Sequence, residues 1–167
     1  ALNEDKITPV TKYEDKGYVS KSGHTIRNSN DRTYGVKNMT EVLEISINTG
    51  AVYMEEQIGH DAFREYIKEF GFGDRTGVDL QGEAPGDIRN ILTTSRDINF
   101  ATASFGQGIA VTPMQLVAAF SSLANGGKIV KPHVLAGEGE VVGQPISVKT
   151  AAQITSMLVS VVENGYG

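Results

Sequence analysis

Cysteine is absent from this chain of 167 residues, which excludes disulfide bonds and thiol chemistry. Long apolar runs are absent too. The longest runs, such as Ile109–Val111 and Leu116–Phe120, are far too short to cross a bilayer. The chain also has no lysine-rich amphipathic stretch of the kind that binds membrane surfaces. The absence of cysteine is also compatible with an oxidising compartment.

A basic surface is missing as well. The formal net charge is −5, so the sequence has no electrostatic footprint for nucleic acid, and no nucleic-acid partner is expected. The three histidines, His24, His60 and His133, lie far apart and lack the spacing of metal ligands. No metal site and no cofactor are therefore expected. Hydrophobic residues make up 40% of the chain, which argues against disorder and allows one buried core.

Helical patterns dominate what is present. The apolar spacing and the glycine stops predict three successive helices: one from about Met39, one from about Thr49 to Ile58 ended by Gly59, and one capped by Asp61 and ended by Gly71. The triplet at residues 46–48 separates the first two. Tyr18-Val19 and Val10–Tyr13 suggest a loose hairpin around a turn at residues 14–17. Residues 71–99 read as a long irregular stretch.

The second half of the chain contains two clear helix starts. Thr112 is a typical N-cap that is followed by Pro113 and by Gln115, the pattern of a capping box. Ser147 is predicted to cap a last helix through Val162, with four residues on its core face: Ile154, Met157, Leu158 and Val161. Lys128–Val130 reads as a short strand. Together these elements predict an α+β fold that is predominantly α, with a few short strands.

Four stretches of this sequence resemble the transpeptidase domain of the class B penicillin-binding proteins, in the family's order and at similar spacing. They are Glu44–Gly50, Phe70–Glu83, Ser104–Gln115 and Leu123–Gly127. The resemblance implies that residues 1–167 are the helical subdomain of a penicillin-binding, serine β-lactamase-like transpeptidase fold, a partial domain truncated at both ends. The sequence of residues 105–115 is more similar to the septal, cell-division type than to the elongation type.

This family works by serine acyl transfer with three motifs, Ser-x-x-Lys, Ser-x-Asn and Lys-Thr-Gly. Only the middle motif has a counterpart here, Ser46-Ile47-Asn48. The resemblance implies that Ser46 and Asn48 are catalytic. A second hydroxyl can relay the proton of the nucleophile, and a carboxamide can both accept from an ammonium group and donate to a substrate carbonyl. Gln107 and Gly108 are candidate substrate-binding residues at the cleft.

The nucleophile itself is missing, because no serine in the chain has lysine three residues later. Lys21-Ser22-Gly23 imitates the third motif but precedes Ser46, whereas the family's third motif follows it. Lys149-Thr150-Ala151 lies within a predicted helix and lacks the glycine that permits close substrate approach. We therefore expect the first motif upstream of Ala1 and the third downstream of Gly167.

Simpler interpretations compete for the same residues. Ser46 and Asn48 could serve only as helix caps. Gln107 and Gly108 could form a packed turn in which glycine lets backbones approach closely. Thr76 and Asp79 are read as structural residues that fix the long loop through side-chain to backbone bonds.

The resemblance implies a peptidoglycan D,D-transpeptidase as the parent enzyme. Its partners would be peptidoglycan stem peptides, β-lactam antibiotics and the rest of the transpeptidase domain. It would act outside the cytoplasm, with a membrane anchor outside this chain. The alternatives are a penicillin-binding sensor domain of a β-lactam-responsive receptor and a non-catalytic structural piece. In isolation the fragment is expected to be inactive. It is also expected to cover an open apolar face, for example as a homodimer.

Overall fold

The computed structural model describes residues 1–94, 96–137 and 139–166; Ser95, Glu138 and Gly167 lie outside the described residues. The strands are β1 Lys12–Asp15, β2 Tyr18–Lys21, β3 His24–Arg27, β4 Gly35–Asn38, β5 Ile129–Val130 and β6 Val141–Gly143. The helices are α1 Met39–Glu44, α2 Asn48–Glu69, α3 Arg89–Leu92, α4 Asp97–Ala103, α5 Pro113–Ala124 and α6 Val148–Asn164. The expected α+β fold with more helix than strand is confirmed.

The strands form three antiparallel pairs, β1 with β4, β2 with β3, and β5 with β6. The hairpin predicted around residues 14–17 is wrong, because β1 pairs with the more distant β4. The true hairpin joins β2 to β3 through Ser22 and Gly23, which have φ angles of 48° and 79°. Two positive φ angles in a two-residue loop match the right-handed twist of the flanking strands. The Lys21-Ser22-Gly23 triplet is thus part of a hairpin.

Helix α2 follows α1 closely and is interrupted once. Gly59, with φ 76° and ψ 165°, breaks its helical geometry, which confirms the predicted stop between two helical segments. Near the start of α2, Gly50 lies against α1. A Cβ atom there would lie 2.6 Å from Val42 Cγ1, so only glycine allows this approach of the two helices. The turn between α1 and α2 is therefore held by close packing.

The long irregular stretch predicted over residues 71–99 is only partly correct. It contains the short helix α3 and the first part of α4. Helix α4 buries Phe100, Ala101 and Ala103 and packs against α2. The sequence pattern also gives no sign of strand β6.

The side chain of Asp79, in the long stretch before α3, accepts from the backbone N–H groups of Val134 and Leu135. These bonds confirm the predicted role of Asp79 in fixing the long loop through side-chain to backbone bonds.

The two helix starts predicted in the second half are confirmed. Thr112 and Gln115 form a reciprocal capping box, and Ser147 Oγ accepts from Thr150 N at the start of α6. Helix α6 packs against α1 and α5. Met157 on its inner face is buried, while Ile154, Leu158 and Val161 are half-buried.

Three clusters of buried side chains surround α2 and form much of the core. One contains Ile7, Met39, Val42, Ile47 and Met157; the second contains Ile88, Ile91, Phe100 and Ala103; the third contains Ile26, Val52 and Ala101. Beside α2 an apolar cavity of about 380 Å³ remains, lined in part by Met54, Phe63 and Met157. No helix within the described ranges is long and apolar enough to cross a membrane.

Candidate active site

Ser46 occupies a strained corner between α1 and α2. Its φ is 54°, in the left-handed region where glycine is usual. The N–H of Ser46 donates to Leu43 O, and the N–H of Ile47 donates to Val42 O. These are the two bonds of a Schellman motif, and the buried pair Val42 and Ile47 supplies its usual hydrophobic contact. The exposed Ser46 occupies a position where glycine is usual, so its backbone is strained. Strain of this kind clusters at functional sites.

Asn48 is the first residue of α2 and is half-buried. The interpretation that it caps this helix is wrong: the N-cap position is Ile47, which has no side chain able to cap. Instead, Asn48 Nδ2 donates to the carbonyl oxygen of Arg27 at 3.0 Å. That bond uses one of the two amide hydrogens, so the second hydrogen and both lone pairs of Oδ1 stay available for other partners.

A buried polar cluster, which we define as Asp15, Asn28 and Thr49, lies directly behind this corner. The Asp15 side chain is 1% exposed and accepts hydrogen bonds from four residues, with Gly17 N, Asn28 Nδ2, Tyr34 N and Thr49 Oγ1 as the donors. Burial alone would raise the pKa of Asp15, but these bonds together outweigh it, and the net pKa is lowered. No local sequence motif marks this cluster.

Asn28 takes over the capping role that Ile47 cannot perform. Its Oδ1 accepts from Thr49 N at 3.2 Å, and its Nδ2 is held by both carboxylate oxygens of Asp15 at 3.0 and 2.9 Å. Thr49 Oγ1 lies 2.7 Å from Asp15 Oδ1. The first turn of α2 is thereby tied to the end of β3 and to β1. The Asp15 side chain and its two partners fix the helix start that carries Asn48.

A second carboxylate, Glu55, lies further along α2 in a very different setting. It lines the apolar cavity, is 3% exposed, and its Oε1 accepts no hydrogen bond from any residue that the structure describes. Burial, with a smaller contribution from the charge of Glu56, raises its pKa to about 7. The nearest basic atom to this oxygen is His60 Nε2 at 3.8 Å. The His60 ring stacks on Phe100.

Gln107 and Gly108 form an exposed turn after α4. The carbonyl of Gly108 accepts from Asn90 Nδ2 at 2.6 Å, and Gly108 has φ 75°. A pocket beside the turn is lined by Gly108, Asn90 and the ion-paired Asp87 and Arg89. No hydrogen bond between described residues joins this turn to Ser46 or Asn48. Gln107 and Gly108 are therefore exposed and have no hydrogen bond to the Ser46 corner among the described residues.

The chemistry of this site is that of hydroxyl and carboxamide groups. No group of His, Cys, Asp or Glu among the described residues is arranged to hold a metal ion. The Lys149-Thr150 pair lies in α6, where the Thr150 hydroxyl donates to Asn3 Oδ1. An exposed hydroxyl on a strained corner and an amide with free donor and acceptor capacity can move a proton and orient a carbonyl. They do not include an activated nucleophile.

The amino-acid sequence of this chain matches one protein family and several known proteins. The family model described as "Penicillin binding protein transpeptidase domain" matches residues 1–167. Stage V sporulation protein D of Bacillus subtilis is 36% identical over 100% of this chain and 28% of its own length. The peptidoglycan D,D-transpeptidase FtsI homolog of Mesostigma viride is 31% identical over 82% of this chain and 25% of its own length.

A solved structure agrees with the sequence matches. Penicillin binding protein 3 from Mycobacterium tuberculosis, complexed with ampicillin, superposes with a TM-score of 0.86 at 25% identity, over 99% of this chain and 39% of that one. The chain spans about a quarter of the length of the curated relatives it matches. Because the family model covers every residue, the chain belongs to the penicillin-binding protein transpeptidase domain family.

Proposed function

We propose that this chain is the helical part of a peptidoglycan D,D-transpeptidase that crosslinks cell-wall peptides by serine acyl transfer and is acylated by penicillins. The observation that carries the proposal is the corner at Ser46 and Asn48, exposed and strained, in a chain of the transpeptidase family. The names of the relatives support it, since one is a peptidoglycan D,D-transpeptidase and another is solved with ampicillin bound.

In this proposal the nucleophilic serine lies outside residues 1–167. Its oxygen attacks the penultimate D-Ala carbonyl of a stem peptide, the bond to the terminal D-Ala breaks, and an acyl-enzyme forms. The serine proton passes through the Ser46 hydroxyl to the departing amine, which leaves as free D-Ala. The amine of a second stem peptide then attacks the ester carbonyl of the acyl-enzyme. The amide bond of the crosslink forms, the bond to the serine oxygen breaks, and a proton from the attacking amine returns to the serine.

Asn48 orients the groups around that reaction. One of its amide hydrogens is fixed on the Arg27 carbonyl, so the carboxamide cannot rotate freely. The other hydrogen can donate to the substrate carbonyl, and Oδ1 can accept from the lysine ammonium of the first motif. Gln107 and Gly108 would contact the substrate from the exposed turn after α4. The enzyme would work outside the cytoplasm and be anchored in the membrane by a segment outside this chain.

The proposed cellular role of the enzyme is the synthesis of the septal cell wall. Relatives named as an FtsI homolog and as a sporulation protein fit a role in septal wall synthesis. A β-lactam sensor would share the acylation step but would not transfer the acyl group to an amine. Exchange of a D-amino acid into a model stem peptide therefore separates the two functions: the transpeptidase is expected to catalyse it and a sensor is not.

The test uses the full-length protein and a fluorescent penicillin. Ser46→Ala and Asn48→Ala are each expected to slow acylation by about 10²–10⁴-fold, the range for loss of a positioned proton-transfer group. Ser156→Ala, a serine exposed on α6, is the matched control and should acylate at the wild-type rate. Wild-type acylation rates in both site variants would show that the motif is wrongly assigned.

A further inference from the structure

Two consecutive residues at the end of β3 hold two consecutive residues at the start of α2. The carbonyl of Arg27 accepts from the Asn48 side chain, and the carboxamide of Asn28 accepts from the backbone N–H of Thr49. The strand end and the helix start are therefore joined by parallel side-chain bonds. Behind them Asp15 accepts from both Asn28 Nδ2 and Thr49 Oγ1.

This arrangement replaces what the helix itself lacks. Ile47 at the N-cap position has no polar side chain, so the backbone N–H of Thr49 would lack a partner without Asn28. Ser46, just before this N-cap, has a left-handed φ, and a residue with a Cβ atom pays a steric cost for that conformation even within the Schellman motif. A strained corner persists only where the surrounding structure over-determines it. The Asp15 cluster fixes the first turn of the helix that follows this corner, through its bonds to Thr49.

We propose that Asp15, Asn28 and Thr49 are positioning residues of the acyl-transfer site, which hold Asn48 and the Ser46 corner in register with the substrate. The proposal rests on the proposed function, because it assigns these three residues an effect on the same reaction. All three residues are buried, whereas Ser46 is exposed. They therefore act by holding Asn48 and Ser46 in place and do not touch the substrate.

Thr49 offers the sharpest variants, because valine keeps its shape and serine keeps its hydroxyl. In the full-length protein, Thr49→Val removes the donor to Asp15 and is expected to lower the first-order acylation rate constant by about 10- to 100-fold, the effect of a small misplacement of a catalytic group. The noncovalent dissociation constant for penicillin should change less than the rate constant. Thr49→Ser should restore acylation to within about 2-fold of wild type.

Loss of stability alone must not be mistaken for loss of position. Ile129→Ala removes a buried side chain from β5, a different part of the core, and serves as the destabilised control. Its folded fraction, measured by titration of penicillin-binding sites, is expected to acylate at the wild-type rate. In an Asn48→Ala background, Thr49→Val should add less than about 2-fold, because residues that act through one another are not additive.

The outcomes are separable. If Asn48→Ala and Ser46→Ala acylate normally, the proposed function of this motif fails. If they are slow while Thr49→Val matches Ile129→Ala, the site stands and the positioning role is overturned. If Thr49→Ser is as slow as Thr49→Val, the hydroxyl bond to Asp15 is not responsible, which also overturns the role. Slow Thr49→Val, restored by serine and silent in the Asn48→Ala background, supports it.

Discussion

Two buried carboxylates, one bonded to α2 and one on it, differ in almost everything except burial. Asp15 is 1% exposed and is bonded to Thr49 of α2, and Glu55, which is 3% exposed, is itself a residue of α2. Asp15 receives hydrogen bonds from backbone and side-chain donors, and its pKa is lowered. Glu55 has an oxygen without a donor among the described residues, and its pKa is raised to about 7. Hydrogen-bond partners, more than burial, decide whether a buried acid keeps its charge.

The difference divides α2 into two functional parts. Its first turn is fixed by charge-assisted bonds and carries Asn48, so its geometry is rigid where the proposed chemistry needs precision. Its second turn faces an apolar cavity in which Glu55 is only weakly stabilised as an anion. The first turn is thus held firmly in place, whereas the stability of the second turn depends on the protonation of Glu55.

The same chemical change should have opposite consequences at the two acids. Asp15→Asn replaces one carboxylate oxygen, an acceptor, by an NH₂ group, which is itself a donor. Donors that bonded to that oxygen lose their acceptor, and each buried donor left unpaired costs about 1–3 kcal/mol. We expect it to lower the free energy of unfolding by at least about 2 kcal/mol. Glu55→Gln at pH 8 removes an unpaired buried charge and should leave stability unchanged or higher. Urea denaturation of both variants at pH 8 measures the contrast; equal losses would refute it.

The pH dependence of stability should show the raised pKa of Glu55. Because the folded-state pKa is above the ordinary value of 4.5, the folded state holds the proton more tightly. Stability should therefore fall as the pH rises from about 4.5 to about 7, by at most about 1.4 kcal/mol per pH unit from one proton, and then level off.

Four other ionisable side chains lie near Glu55, namely Lys21, Glu56, His60 and Asp97. The difference between wild type and Glu55→Gln isolates the contribution of Glu55 itself. Unfolding free energies measured from pH 5 to 8 should converge at low pH and diverge as the pH rises. Parallel curves for the two proteins would contradict the assignment of a raised pKa to Glu55.

The smallest expected effect concerns the strained corner. Ser46→Gly relieves a left-handed φ, at the cost of a more flexible unfolded chain, and should raise the free energy of unfolding by about 0.5–1 kcal/mol. Ser46→Ala keeps the Cβ atom and should change stability little. A thermal melt distinguishes them. If glycine lowers the melting temperature, the corner is not strained and its functional interpretation loses its main physical support.

Local signals in the sequence predicted the local features of the fold. The Thr112 capping box, the Ser147 cap and the break at Gly59 depend on neighbouring residues, and each is confirmed. Helix α4 escaped prediction because its buried residues are mostly small, so no apolar stripe marks its inner face. The pairing of β1 with β4 depends on tertiary contacts, whereas the nearby turn residues suggested a closer partner.

The candidate site shows the same division. The corner at Ser46 and Asn48 lies between two helices, where the triplet and its flanking patterns placed it. The Asp15 cluster could not be predicted, because its members are 13, 21 and 34 residues apart in sequence. Asp15 and Asn28 have no local motif, and Thr49 read as an ordinary helix residue. Only folding brings the three together behind the corner.

In the proposed function, Ser46 and Asn48 assist acyl transfer while the nucleophile lies outside residues 1–167. The most direct measurement is intact mass spectrometry and peptide mapping after incubation with labelled penicillin, for the full-length protein and for this chain alone. We predict one covalent penicillin on a serine outside residues 1–167 in the full-length protein, and no adduct on the isolated chain. A stoichiometric adduct on any residue of this chain would contradict the claim.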